Sequence, residues 1–263
     1  MTDDDAVVSS TQQSAGFTTI LGVDCATQPK KVGLARAHSR DGDWHLTDTQ
    51  VCSAAEPPDK VLARWIEEDP DCLLALDAPL GWPSAMGTAL SSHRAGQPVG
   101  GHAKTLFNRA TDRHVHASLG KRPLDVGANL IARTALATLE LLQALRECTG
   151  APLPLAWSPV EPVRPATIEV YPAATLLAHG VDAKGYKATT ASAARLAIEG
   201  PIGRWLTTEG GFNVQAADDN VVDAVLCVIG GLDFAVGAAR GPSNRYRAER
   251  EGWIWFREGA GEA

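Results

Sequence analysis

Two apolar runs, each closed by an aspartate, constrain this chain most. The first, Thr18 to Ala26, is a β-type run that ends in Gly22-Val23-Asp24-Cys25-Ala26. The second, Cys72 to Leu76, is continuous and closed by Asp77. A continuous run fits a strand buried in a parallel sheet. Between them, Lys31 to His38 alternates, Asp41-Gly42 is a strong hairpin turn, and Trp44 to Val51 reads as a third strand. A helix with a proline start at Pro57-Pro58 then carries apolar positions at Val61, Leu62, Trp65 and Ile66. The beginning of the chain is therefore a three-strand antiparallel meander, a helix and a buried fourth strand.

The pattern changes at Pro79. Gly, Pro and Ser punctuate residues 79–101 without a strand signal, and Leu130 to Leu145 is an amphipathic helix ended by Gly150. Prolines between Pro152 and Pro165 make a stiff return. Thr167 to Tyr171 is a short strand stopped by Pro172, helices are expected near Thr190 to Ile198 and Asp218 to Ala235, and Gly252 to Arg257 reads as a last aromatic strand or docked segment. The expected fold is α/β: an RNase H-like mixed five-stranded sheet with flanking helices and a mostly helical insertion, residues 79–165, between strands four and five. Residues 1–16 are expected to be a disordered acidic tail, and residues 17–263 one domain. Ligands of open α/β sheets bind outside strand carboxyl ends at a topological switch point. In this layout that point lies where strand one meets strand four, at Asp24 and Asp77.

Composition narrows the function. With 263 residues and 44% hydrophobic, the chain can bury a sizeable core. A net charge of −7 disfavours a histone-like coat on nucleic acid. No apolar run approaches the roughly 20 residues of a membrane helix, and the start carries Asp3, Asp4 and Asp5 without Lys or Arg, unlike a signal peptide. Cys25, Cys52, Cys72, Cys148 and Cys227 are widely spaced, which fits buried thiols in a reducing cytoplasm better than a disulfide framework. A soluble, cytoplasmic protein is expected.

Each acid has a bland reading beside a chemical one. Asp24 and Asp77 could be turn formers, and Asp218 is a natural N-cap for the last helix. Glu169 sits mid-strand among apolar residues, where a carboxylate needs an Arg partner or a metal. Asp223 lies inside an apolar helix, and Asp219 and Asp223 are i and i+4, so both carboxylates point one way. Together these acids suit a hard cation, Mg²⁺ or Mn²⁺, which takes carboxylate oxygens and keeps several waters. Such ions activate water for phosphodiester hydrolysis.

At these residues the chain resembles a known family. The runs Gly22-Val23-Asp24, Leu76-Asp77-Ala78-Pro79-Leu80-Gly81, Arg109-Ala110-Thr111-Asp112-Arg113, Glu169-Val170-Tyr171-Pro172 and Asp219-x-x-x-Asp223-Ala224, and the closing Glu251-Gly252-Trp253-Ile254, are similar to the family catalogued as domain of unknown function 429. That resemblance implies an RNase H-like fold and a nuclease activity. The last acidic helix also looks like that of RuvC-type resolvases, which implies Asp24, Asp77 and Asp223 as catalytic metal-binding acids, with Glu169 and Asp219 as further ligands. The helix after the third strand offers only Glu67 and Glu68 near its end, where RNase H enzymes proper carry a catalytic Glu, so the RuvC-type layout suits the sequence better.

Residues 91–122 hold six Lys or Arg against one acid, Asp112, and four of the seven histidines. A basic segment beside an acidic metal site suits a nucleic-acid substrate, since bases hold phosphate. Arg109 and Arg113, i and i+4, are expected to contact substrate phosphates as one helix face. Gly180 to Lys187 misses the Walker A pattern because Tyr186 intervenes and Ala188 follows, though Lys184 and Lys187 remain candidates to meet a phosphate. His114 and His116 alternate as a strand-borne metal pair would, without a further ligand nearby. Two other functions fit parts of the sequence. Asp24-Cys25-Ala26-Thr27 is similar to the first phosphate hairpin of an actin-like ATP-dependent phosphotransferase, which needs two such halves. A non-catalytic nucleic-acid or nucleotide-binding module would keep the acids as remnants.

Overall fold

In a computed structural model, residues 16–127, 129–161, 163–187, 192–208 and 212–258 are described. The expected acidic tail lies, apart from Gly16, outside the described residues. Strands β1 (Thr19–Asp24), β2 (Gly33–Arg40) and β3 (Asp43–Val51) form the antiparallel meander. Asp41 and Gly42 join the last two with φ of 54° and 90°. Two left-handed residues in a two-residue loop match the twist of the flanking strands. Helix α1 (Pro58–Glu68) buries Val61, Leu62, Trp65 and Ile66, and β4 (Cys72–Asp77) returns parallel to β1.

Helices α2 (Ser84–Leu90), α3 (Ala103–Phe107), α4 (Ala110–Leu119) and α5 (Asn129–Thr149) fill the span before β5 (Ala166–Val170), which pairs parallel with β4. Then come α6 (Pro172–Ala178), α7 (Ala193–Trp205), β6 (Thr207–Thr208), α8 (Asp219–Ala235), α9 (Arg245–Glu251) and β7 (Ile254–Trp255). The sheet order is β6-β3-β2-β1-β4-β5-β7. It is thus a mixed, mostly parallel sheet of seven strands among the described residues, not the five expected. The additional strands, β6 and β7, hold two residues each and lie at the edges; β7 falls in the segment 252–257 expected as a last strand or docked segment, while β6 is too short to show a period of two in the sequence. Pro172 was expected only to end β5. It also opens α6, because proline's fixed φ and missing N–H suit the first turn of a helix.

Strand alternation sorts the core into two layers. Ile20, Ala35, Leu73, Ala75 and Ile168 face α8, whose residues Val221 to Ile229 are all buried. Leu21, Val23, Leu34, Leu74 and Leu76 face α1 and α5 through Leu62, Trp65, Leu142 and Leu145. Helix α8 is apolar nearly all round because it is enclosed by the sheet, α6 and the C-terminal strand. Among the described residues, no helix is long and apolar enough to cross a membrane.

Candidate metal centre

Parallel pairing of β1 with β4 puts Asp24 opposite Asp77 as the last residue of each strand. Alternating strand residues enter the core, so both acids leave the sheet at its carboxyl edge. Asp223 reaches them from α8 because that helix lies almost on the backbone of β1 and β2. A Cβ at Gly22 would collide with the carbonyl oxygen of Ala224, and one at Gly33 with that of Asn220. Only glycine permits this approach. As a result Asp24, Asp77 and Asp223 each present a carboxylate oxygen within 4.8 Å of the other two.

Electrostatics make this cluster unlike a packed core. Asp223 is fully buried; Tyr186 donates its hydroxyl to Oδ1 at 2.6 Å, and the Lys187 ammonium pairs with Oδ2. Asp24 and Asp77 have no side-chain hydrogen bond to any of their four carboxylate oxygens among the described residues. Burial, then the charges of Asp223 and Asp77, push Asp24 up to about 9. Burial, then Asp223, push Asp77 up to about 8, with Lys187 opposing. Burial also raises Asp223 against the pull of Lys187. One ammonium facing three carboxylates leaves two negative charges when all three ionise. A divalent cation would supply the missing charge.

The donor set fits Mg²⁺ or Mn²⁺. It is made of hard oxygens, and no histidine belongs to the cluster. Cys25 and Cys227 lie close by, but burial and the acids hold both thiols well above their usual range, so neither offers a thiolate to a softer metal.

The other expected ligands lie outside the triad. Asp219 is the first residue of α8, one turn before Asp223, and acts on it and on Asp24 only through its charge. Glu169 is fully committed elsewhere. Arg109 grips it with two hydrogen bonds, NH2 to Oε1 at 2.7 Å and NH1 to Oε2 at 2.8 Å, and the Leu80 N–H donates to Oε2 at 3.1 Å. The demand for an Arg or a metal is met here by the Arg.

The phosphate-binding expectation divides likewise. Arg109 is 1% exposed, caps α4 and also binds Asp112, so its donors are spent on the protein. Arg113 donates to the Asn108 carbonyl at 2.6 Å and shares no face with Arg109, which stands outside the helix. Lys187 is at the centre itself, with half its side chain exposed. Lys184 is exposed, and its backbone N–H donates to Asp182 Oδ1 at 2.9 Å. His114 and His116 sit on α4, not a strand, where residues two apart diverge; His114 stacks on Trp253.

Two clefts meet at the centre. One of about 410 Å³ is bounded by Lys121, Ala183, Gly185 and Tyr186; the other, about 300 Å³, runs toward α5 past Pro79, Leu124 and Ile131. Asp77, Tyr171 and Lys187 line both. Sequence reasoning missed Tyr171 and Tyr186 as site residues, and met Lys121 only as one base of the segment 91–122. Tyr186 carried a signal, as the residue that spoils the Walker pattern next to a lysine. Tyr171 follows the strand beside β4, which places it at the same sheet edge as Asp77.

The chain belongs to the family described as a protein of unknown function, DUF429, whose model matches residues 22–247. That span contains all three acids, Tyr171, Tyr186 and Lys187. A search of curated proteins finds no match to the chain.

Proposed function

We propose that this protein is a metal-dependent nuclease that hydrolyses phosphodiester bonds of nucleic acid. The observation that carries the reading is the convergence of Asp24, Asp77 and Asp223, with no side-chain donor to Asp24 or Asp77 among the described residues. The strand order β3-β2-β1-β4-β5 inside the sheet supports an RNase H-like fold, with acids on the adjacent ends of β1 and β4 and a third on the last long helix in the RuvC-type manner. The five cysteines are free thiols, which suits a reducing cytoplasm.

When bound, Mg²⁺ or Mn²⁺ supplies Lewis acidity and a nucleophile at neutral pH. The protein's own groups do the rest. Asp24 and Asp77 would hold the ion, with oxygens that no side-chain donor occupies among the described residues. Tyr186 fixes Asp223 through Oδ1, so its other oxygen keeps one direction. Lys187 Nζ, half exposed beside Asp223, meets a substrate phosphate oxygen and offsets its charge. Lys121 extends that positive rim along the larger cleft.

A labelled panel of single- and double-stranded DNA and RNA, incubated with Mg²⁺, Mn²⁺ or chelator, tests the reading. Cleavage that needs the metal and is lost in Asp77→Asn is the expected result. Hydrolysis of ATP with no strand cut assigns the phosphotransferase instead, and binding without either reaction assigns a non-catalytic module.

A further inference from the structure

The smaller cleft is not shaped like a phosphate track. Its walls are Pro79, Pro123, Leu124, Ile131, Val170 and Ile254, while Asp77, Tyr171 and Lys187 stand where it meets the larger, lysine-rimmed cleft. Its volume of about 300 Å³ lies at the lower limit of small-molecule pockets, roughly 300–1,000 Å³, and suits one flat ring system rather than a stacked duplex. The polar groups in its wall are already engaged. Arg109 and Glu169 bind each other, Thr134 donates to the Leu130 carbonyl at 3.1 Å, and Cys25 faces the Val23 carbonyl. Tyr171 differs: it is half-buried, and its hydroxyl has no partner among the described residues.

We infer that this cavity takes one unpaired nucleobase of the substrate strand, with Tyr171 as the wall between the base and the phosphate that meets Lys187 and the acids. The substrate class is therefore single-stranded or frayed nucleic acid. With its wall donors spent on the protein, the cavity holds the base by apolar and aromatic contact and does not read its edge, so binding is tolerant of sequence. This inference rests on the nuclease reading only in placing a phosphate beside Asp77, and it is tested by binding rather than cleavage.

The experiment measures anisotropy of a fluorescein-labelled single strand, and of the same strand annealed to its complement, with full-length protein in Ca²⁺, which takes the same oxygen ligands. Wild type should bind the single strand at least about tenfold more tightly than the duplex, and Tyr171→Ala should lose on the order of tenfold for the single strand alone. Tyr171→Phe, which keeps the ring, should retain most of the affinity. Leu124→Trp fills the cavity from a residue 71% exposed, so it folds, and should weaken the single strand as Tyr171→Ala does. Equal binding of strand and duplex, no binding of either, or unchanged affinity in both Tyr171→Ala and Leu124→Trp overturns the inference. Selective single-strand binding with no cleavage in Mg²⁺ leaves the cavity standing and removes the nuclease. Cleavage with a duplex preference does the reverse.

Discussion

Two groups of three buried or half-buried acids lie near each other in this molecule, and they are built on opposite plans. Around Arg109, every carboxylate oxygen of Asp112, Glu169 and Glu251 is met. Arg109 binds both oxygens of Asp112 and of Glu169; Ser84 and Arg247 bind Oε1 of Glu251, and the Ala110 N–H binds Oε2. These contacts tie α4, α9 and β5 together, with Gly252 at φ 81° passing against the Glu169 carboxylate where a Cβ would be 2.8 Å from Oε2. In the triad, two of three carboxylates have no side-chain donor among the described residues. The outcome shows in their protonation. Glu251, despite burial, is held below the usual carboxylate range by donors from Ser84 and Ala110, and burial raises Glu169 against the pull of Arg109, whereas burial and mutual repulsion lift Asp24 and Asp77 to about 9 and about 8. A buried acid is thus not in itself a sign of function. The sign is an acid whose oxygens the protein has left unmet.

The largest effect should come from breaking the satisfied group. Arg109→Met strands two buried carboxylates and should cost about 3–5 kcal/mol in denaturant unfolding. A loss under about 1 kcal/mol would mean that Arg109 is not what holds Glu169 and Asp112.

The unsatisfied group should respond to pH instead. In the unfolded chain Asp titrates near ~3.9, and in the folded, metal-free protein Asp24 and Asp77 titrate at about 9 and about 8. The folded state therefore binds the extra protons. Their contribution is full below pH ~4 and is lost as pH rises through about 8 and 9. In chelator, wild type should melt lower at pH 9 than at pH 6, by more than Asp77→Asn does. Identical pH slopes for the two proteins would show that the carboxylates are not crowded.

The smallest effect concerns the half-exposed lysine paired with Asp223. Lys187→Met removes the only ammonium paired with the triad among the described residues. Divalent-metal affinity should rise, and the log–log salt slope of nucleic-acid binding should fall by about one. An unchanged slope places Lys187 away from the phosphate.

Much of the frame was legible in the sequence. Asp24 and Asp77 could be placed because each closes an apolar run, and Asp223 because it interrupts an apolar helix. Helices α2 and α3 were not legible, since they are short and bury little: α2 has no buried residue and α3 only Leu106. The partners of Glu169 could not be read because Arg109 lies 60 residues away and its fate depends on packing, not spacing. The i,i+4 rule for Arg109 and Arg113 failed because α4 begins one residue later than that pairing needs, at Ala110. The need for glycine at 22 and 33 arises only from the position of α8, which the sequence pattern does not set.

The central claim is that Asp24, Asp77 and Asp223 form a cation site rather than a piece of scaffold. Thermal melting of wild type and Asp77→Asn, each in chelator and in excess Mn²⁺ at one protein concentration, tests it most directly. In chelator at pH 9, where Asp77 is largely ionised, the variant should melt at or above wild type, because it sheds one of the repelling charges. Mn²⁺ at 100 times its Kd should stabilise wild type by about 2.7 kcal/mol and the variant far less. A variant that melts well below wild type in chelator, together with a wild type that gains nothing from Mn²⁺, would contradict the account.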